Sequence, residues 1–360
     1  MHEGGETFDD APDLGQCSCS AARSDEKSSE DLHTRFSPVL QDERVNDPIV
    51  TVTLNPAVDE TIEVVEFVLG DANRCRVRSL DAGGKGLNAS RVIHRLGRQT
   101  LALGFVGGVT GAIVRSRLDD EGVPHAFDDV EEMTRLNVML YERRPHRRSR
   151  IYLPGARLEP ARIDELRARL RRVRSGGIVV LGGSLPPGLP ETTYRNLVAW
   201  LRERGVRAIL DTSGAALAAA LAAKPELIKP DLEEAADVLG RTIATDGDAI
   251  DAANELRRLG AQNVVISQGA AGAVAAGPGG SWKAVAPSVA PRSTVGSGDS
   301  MVAGLAIAFS ENAGLVEGLR LGTAAGAGTA ASPAAHLCRR EDFDELLPRV
   351  VVAELTTAVR

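Results

Sequence analysis

From Ile49 onward, short aliphatic runs alternate with apolar residues at helical spacing. Ile49–Leu54, Leu101–Val106, Ile178–Leu181, Val206–Leu210 and Val264–Ile266 are continuous apolar stretches of strand length. Between them, Ile163, Leu166, Leu170 and Val173 recur three and four residues apart within Ala161–Arg174, the spacing of one helix face. Strands apolar on both faces that alternate with helices predict an α/β domain with a mainly parallel central sheet covered by helices. Two segments break the alternation. Thr61–Val68 with Arg74–Leu80, and Arg135–Leu153, predict paired extended strands of a small projecting sheet, within about residues 59–80 and 134–153. Arg143, Arg144, His146, Arg147, Arg148 and Arg150 lie between two of these strands, as a solvated hairpin tip or as a site for a polyanion. Residues 1–47 are rich in Asp, Glu, Ser and Gly with no sustained apolar period, and predict a disordered extension ahead of one folded domain, 48–360. No internal repeat is evident.

Composition narrows the picture. The chain has 360 residues, enough for a substantial core. Aromatic residues are only 3%, so that core must be built from Ala, Val, Leu and Ile. The net charge of −7 argues against a nucleic-acid partner, which would need a basic face. No apolar run reaches the ~20 residues of a membrane span, and the start MHEGGETFDD lacks the pattern of a signal peptide, so a cytoplasmic protein without a membrane partner is expected. Cys17 and Cys19 form a lone C-x-C, and Cys75 and Cys338 stand apart. All four are read as reduced thiols rather than as a zinc site.

Two glycine-rich segments carry the chemistry. In Ser293-Thr-Val-Gly-Ser-Gly-Asp-Ser-Met-Val-Ala-Gly304, a glycine turn runs into a helix of small apolar residues. Gly296 and Gly298 allow the backbone N–H groups around Ser297 to converge, and the helix start adds free donors and a positive dipole end. That is an anion hole suited to a transferring phosphate. Asp299 at its mouth makes sense as a base that removes a hydroxyl proton, or else as the cap of an ordinary helix. The second segment, Asp81-Ala-Gly-Gly-Lys-Gly-Leu-Asn-Ala-Ser-Arg-Val-Ile-His-Arg-Leu-Gly97, also leads from a glycine loop into a helix. It is not a Walker A loop, because Gly86 follows Lys85 where Ser or Thr is required. Weaker pieces are Asp59 after the first strand, Arg135 as a phosphate-binding guanidinium, and Ser184 in a Gly-Pro loop after a strand. Lys229, Asp231 and Glu234 suit phosphates and hydrated Mg²⁺, and Ser267–Gly272 is a loop able to hold a nucleotide.

Taken together and in this order, these pieces resemble the PfkB (ribokinase-like) carbohydrate kinases over about residues 48–355. Finding both GGKGLNASRVIHRLG and STVGSGDSMVAG is far more specific than finding either. The resemblance implies a ribokinase-like three-layer sandwich with a projecting β lid, through which members commonly form homodimers. It implies ATP-dependent phosphorylation of a sugar phosphate. Asp299 then matches the catalytic base and Gly296, Ser297 and Gly298 the anion hole. Asp59, Gly83, Gly84, Lys85 and Asn88 match substrate-binding positions, and Arg135 and Ser184 contacts of the substrate phosphate. Lys229, Ser267, Gly269 and Gly272 match ATP contacts. Asp231 and Glu234 occupy an N-x-x-E motif tied to Mg²⁺, with Asp in place of Asn. Some relatives use K⁺ beside the anion-hole loop. Ala330–His336 departs from their pattern, which leaves K⁺ an open cofactor. Tyr152-Leu-Pro-Gly-Ala-Arg-Leu158 and the segment around Cys338 look most like the minor bacterial 6-phosphofructokinase, so fructose 6-phosphate is the expected substrate. GGKGLN and Asp211-Thr-Ser-Gly-Ala-Ala-Leu217 lean toward tagatose-6-phosphate kinase, and GGKG also occurs in 1-phosphofructokinases. A sugar-phosphate sensor would be expected to have lost the base or the anion-hole glycines, and both are present. A nucleoside or vitamin kinase of this fold would leave Arg135 without a phosphate partner.

Overall fold

The computed structural model describes residues 47–332 and 336–355. The predicted extension, with Cys17 and Cys19, lies outside the described residues except for Asp47, whose carboxylate accepts hydrogen bonds from Arg174 Nε at 2.8 and 2.9 Å. The chain opens with β1 (Ile49–Thr53), then leaves the main sheet for β2 (Ala57–Val64) and β3 (Arg76–Gly83). It returns through α1 (Lys85–Arg95) to β4 (Thr100–Gly107), α2 (Gly108–Asp120) and β5 (His125–Val130). β6 (Arg135–Glu142) and β7 (Arg147–Ile151) rejoin the small sheet. The body resumes with α3 (Arg162–Leu170), β8 (Ile178–Gly182), α4 (Thr193–Glu203), β9 (Arg207–Asp211), α5 (Gly214–Leu221), β10 (Leu227–Ile228), α6 (Leu232–Leu239), α7 (Asp246–Arg258) and β11 (Asn263–Ser267). A hairpin of β12 (Ala273–Gly277) and β13 (Gly280–Val285) follows, then α8 (Ser297–Ser310), α9 (Gly314–Ala331), α10 (Arg340–Leu346) and β14 (Val351–Glu354).

Among the described residues the large sheet runs β14-β13-β12-β11-β10-β9-β8-β1-β4-β5 and the small one β3-β2-β6-β7. From β11 to β5 every pairing is parallel, and β12, β13 and β14 extend the edge antiparallel. The pleat explains the apolar runs. Val179 and Leu181 of β8 face a layer that includes α3, α4, α5 and α7, while Ile178 and Val180 face α1, α8 and α9. Residues of both parities are thus buried, as a helix-covered parallel strand requires. β1 departs in one respect. Its Thr51 faces α1, and the hydroxyl lies 2.7 Å from that of Ser90, itself 2.8 Å from Thr100 Oγ1, so the polar groups satisfy one another inside the sandwich.

Four strands differ from expectation. The lid strand β2 begins at Ala57 rather than Thr61, and β3 runs on to Gly83, directly into the glycine loop. Asp59 therefore sits inside a lid strand, not in a loop after β1. The β12–β13 hairpin was not anticipated, because Ala273-Val-Ala-Ala-Gly277 has weak strand propensity. Only the Pro-Gly-Gly turn after Gly277 marks it. No helix of the described residues is long and apolar enough to cross a membrane.

The scarcity of aromatic residues shows in α8 and α9, which pack through small side chains. A Cβ built on Gly304 would lie 2.5 Å from Gly322 N, so the two backbones meet there. Gly304→Ala is expected to force the helices apart and cost about 1–3 kcal/mol, as overpacking does. A thermal melt should record a fall of several degrees. An unchanged melting temperature would mean that the helices are free to separate.

Candidate active site

The carboxyl ends of β1, β8, β9, β10 and β11 point to one edge of the sheet, with β1 as the strand where the order reverses. Ligands gather at such a point in open α/β sheets. Asp211, the last residue of β9, is 2% exposed. Its Oδ1 lies 3.1 Å from Lys85 Nζ and 3.5 Å from Lys229 Nζ. The two ammonium groups hold its carboxyl below the usual range against the opposing effect of burial. Lys85 is the first residue of α1 and Lys229 follows β10, so one carboxylate ties three elements together.

Lys85 also donates to Glu234 Oε1 at 3.1 Å. Its expected place among the sugar contacts thus has to be set beside what it bonds, the two acids Asp211 and Glu234. Glu234 Oε2 accepts from Asp231 N at 3.0 Å, and Asp231 Oδ1 accepts from Glu234 N at 2.8 Å, a reciprocal capping box that starts α6. The D-x-x-E pattern is therefore a helix start as well as a pair of acids. Asp211 and Glu234 still have free lone pairs, and both oxygens point at one cation position, taken here by the Lys85 ammonium. That donor set fits a divalent cation carried in with its water shell. Ser267 sits beside Asp231 through an isolated parallel bridge. The 3-10 turn Gly269–Ala271 follows, closed by a Gln268 N to Gly272 O bond of 2.8 Å.

Gly296 precedes α8 with φ of 80°, a left-handed conformation that glycine adopts without strain. Ser297, Gly298 and Asp299 are the first three residues of the helix, whose amides have no partner within it. A Cβ on Gly298 would lie 3.4 Å from Lys229 Nζ, so that ammonium stands over the loop. Asn88, on the first turn of α1, donates to Asp299 Oδ2 at 2.8 Å and joins the two glycine-rich segments directly. Burial, with Asp211 nearby, pushes the Asp299 carboxyl up to about 6, while Asn88, Lys85 and Lys229 pull the other way. A carboxylate poised there, beside the first-turn amides, can accept a proton near neutral pH.

The lid supplies the other side. Asn137 donates to Asp59 Oδ1 at 2.8 Å across the β2–β6 pairing, and burial raises the Asp59 carboxyl. A Cβ on Gly83 would fall 2.2 Å from Asp59 Oδ2, so only glycine fits beside that acid. Arg135 donates to Asn55 O and Leu153 O, each at 3.1 Å. Asn55 Nδ2 in turn donates to Ser184 Oγ at 3.2 Å and Pro154 O at 3.0 Å. Arg135 lines a small hollow with Leu54, Pro56, Phe105, Thr134 and Leu158. Arg135 Nε, Asn137 Oδ1 and Ser297 Oγ are buried without a partner among the described residues. Each such atom costs about 1–3 kcal/mol unless something bonds it.

Two glycine loops that share an Asn–Asp bond thus meet at the switch point of a parallel sheet, facing a small second sheet. The model of the pfkB family carbohydrate kinases matches residues 52–341. The chain belongs to that family. The Escherichia coli (strain K12) ATP-dependent 6-phosphofructokinase isozyme 2 is 34% identical over 300 residues, covering 83% of this chain and 97% of the relative. The 1-phosphofructokinase of Bacillus subtilis (strain 168) is 35% identical over 307 residues, covering 85% and 100%. A crystal structure of Escherichia coli phosphofructokinase-2 in complex with potassium superposes with a TM-score of 0.80 at 34% identity, covering 84% of this chain and 98% of that one. This pfkB kinase is thus an ATP-dependent sugar-phosphate kinase.

Asp211 and Asn55 were not singled out from the sequence, although both end or follow buried strands. An acid at the carboxyl end of a parallel strand was the available signal for Asp211. The arginine run is the solvent-exposed tip and outgoing strand of the β6–β7 hairpin, and two of its members are tied down. Arg147 donates to Glu142 at 2.9 Å and Arg148 to Arg292 O at 2.9 Å.

The raised Asp299 carboxyl is expected to cost stability at neutral pH. A carboxyl whose folded pKa lies above its unfolded value near 3.8 stabilises below that value, and the stability is lost as pH rises through about 6. At neutral pH the ionised group is a burden of about 3 kcal/mol at most, taking 1.36 kcal/mol per unit. Asp299→Asn is therefore expected to raise the melting temperature by a few degrees at pH 7.5, with a smaller gain at pH 5. Melts at both values check the sign. A destabilised variant at pH 7.5 would contradict the raised pKa.

Proposed function

We propose that the chain transfers the terminal phosphoryl group of ATP to a hydroxyl of a hexose phosphate, with fructose 6-phosphate as the first substrate and fructose 1,6-bisphosphate as its product. The observation that carries this reading is the Asp299 carboxylate at the start of α8, with a pKa near 6, bonded to Asn88 of the other glycine loop. Asp299 takes the proton from the attacking hydroxyl, the hydroxyl oxygen bonds to phosphorus, and ADP leaves. The amides of Gly296, Ser297 and Gly298, with the Lys229 ammonium above them, stabilise the charge on the transferring group. Asp59, Gly83, Gly84 and Asn88 hold the sugar hydroxyls. Arg135 and Ser184, tied together through Asn55, receive the phosphate already on the sugar. Ser267, Gly269 and Gly272 border the nucleotide. Mg²⁺ accompanies ATP and lowers the charge repulsion between phosphates. Asp211 and Glu234 would hold it, with Asp231 setting Glu234 in place. K⁺ stays an open cofactor on the strength of the potassium complex of the Escherichia coli relative. The folded kinase domain starts near residue 48, behind an extension that does no chemistry. A homodimer through the lid fits its exposed apolar side chains, among them Leu69, Val77, Ile151 and Tyr152.

Phosphorylation of fructose 1-phosphate is the second reading, favoured by the GGKG loop and the Bacillus subtilis relative. A coupled assay with fructose 6-phosphate, fructose 1-phosphate and tagatose 6-phosphate ranks the substrates. No turnover with any of the three would overturn the proposal.

Asp299→Asn should lower kcat by at least the ~10²–10⁴ typical of a lost base, and more because the carboxylate also orients the hydroxyl. In the wild type, kcat/KM should fall tenfold per pH unit below about pH 6, as Asp299 becomes protonated. A variant that kept a tenth of wild-type kcat would rule Asp299 out as the base.

Arg135→Ala is expected to raise KM for the sugar phosphate about 10- to 150-fold, from the ~1.5–3 kcal/mol of a charge-assisted hydrogen bond. KM for ATP should hardly move, and neither should any weak activity toward unphosphorylated fructose. Equal losses with fructose and fructose 6-phosphate would make Arg135 a strut for the Asn55 and Leu153 carbonyls and nothing more.

A further inference from the structure

The arrangement around Lys85 is unusual for a residue at the mouth of a sugar site. Its side chain is 33% exposed, whereas Asp211 is 2% and Glu234 18% exposed. The ammonium thus stands on the solvent side of two acids, one at the end of β9 and one in the first turn of α6, and bonds an oxygen of each at 3.1 Å. Those are the oxygens assigned above to the water shell of Mg²⁺. A lysine ammonium and a hydrated divalent cation use the same lone pairs and repel each other. Neither acid depends on Lys85 alone. Asp211 keeps Lys229 at 3.5 Å, and Glu234 keeps Asp231 N at 3.0 Å. The Lys85 backbone is fixed, because a Cβ on Gly182 would meet Gly86 N at 2.6 Å, while the four-carbon stem is free to turn.

We propose that Lys85 is a resident counter-cation that competes with divalent metal for Asp211 and Glu234 in the enzyme without nucleotide. Free metal must displace the ammonium and gains no new partner for it. Metal arriving on a triphosphate brings phosphate oxygens to which the ammonium can move. The site is therefore selective for the metal–nucleotide complex over free metal. The inference rests on the proposed role of Asp211 and Glu234.

The test uses Mn²⁺ as an observable divalent ion and the full chain without nucleotide, with free Mn²⁺ followed by electron paramagnetic resonance. Lys85→Met is expected to bind Mn²⁺ at least about tenfold more tightly than wild type, the lower end for loss of one charge-assisted bond. Lys85→Arg, which keeps the charge, should stay close to wild type. Adding Glu234→Gln to Lys85→Met should remove the gain. Lys85→Gln serves if a melt shows Lys85→Met unfolded. Unchanged, weaker or undetectable Mn²⁺ binding on loss of the charge would overturn the inference, as would equal tightening in Lys85→Arg. A wild-type protein that phosphorylates fructose 6-phosphate while its variants show no tightening would sink the counter-cation alone. A protein that turns over none of the three sugar phosphates would sink the phosphotransfer reading, whatever the Mn²⁺ titration gives.

Discussion

The ion cluster centred on Asp211 is the constraint on which the rest of the site depends. A carboxylate 2% exposed costs several kcal/mol to bury unless it is paired. Here it is paired twice, by Lys85 at the start of α1 and by Lys229 after β10. Those two lysines come from sequence segments about 140 residues apart, and each brings a loop with it. α1 carries Asn88 toward Asp299, and Lys229 stands over Gly298. The anion hole, the carboxylate beside it and the acids of α6 are thus set by charges that neutralise one another before any ligand arrives. Such preorganisation is what makes electrostatic stabilisation of a transferring group cheap at the moment of reaction.

The lid obeys a related rule. Glu63 and Glu142 are nearly buried in it, at 8% and 3% exposure. Arg76 and Arg78 satisfy Glu63 at 3.0 and 3.1 Å, and Arg147 satisfies Glu142. A four-stranded sheet of this size has little core of its own, so its arginines do structural work that their exposure conceals. Its root is held differently, by backbone carbonyls that accept from Arg135 and Asn55. This makes Arg135, proposed to receive the phosphate of the sugar, part of the joint between lid and body. Asp59, Asn137 and Gly83 lie across neighbouring strands of this sheet, so its register sets the geometry around Asp59, which is proposed to hold a sugar hydroxyl.

The sequence alone carried the sheet class, because β8 is apolar at every position and its neighbours nearly so, a pattern that suits helix-covered parallel strands alternating with helices. It also carried the two glycine loops, since close backbone approach and a left-handed residue leave glycine no substitute. Asp299 was legible as the one charged residue of a helix that is otherwise apolar apart from its serines. The resemblance to pfkB kinases came from those segments together, and the family comparison upheld it.

What the tertiary structure decided is where charges meet. Nothing in the local pattern of Asp231-Leu-Glu-Glu234 separates a metal motif from a capping box, because both place a side-chain oxygen three residues before a glutamate. Lys85 read as a substrate-binding lysine of the glycine loop until the fold brought Asp211 and Glu234 within 3.1 Å of it. Asn55 and Asp211 looked ordinary because their partners lie far along the chain, at Ser184, Pro154, Lys85 and Lys229. Periodicity and turn chemistry are local properties and are written locally. A buried charge is compensated by whatever the fold places beside it, so its role becomes visible only when distant strands share an edge.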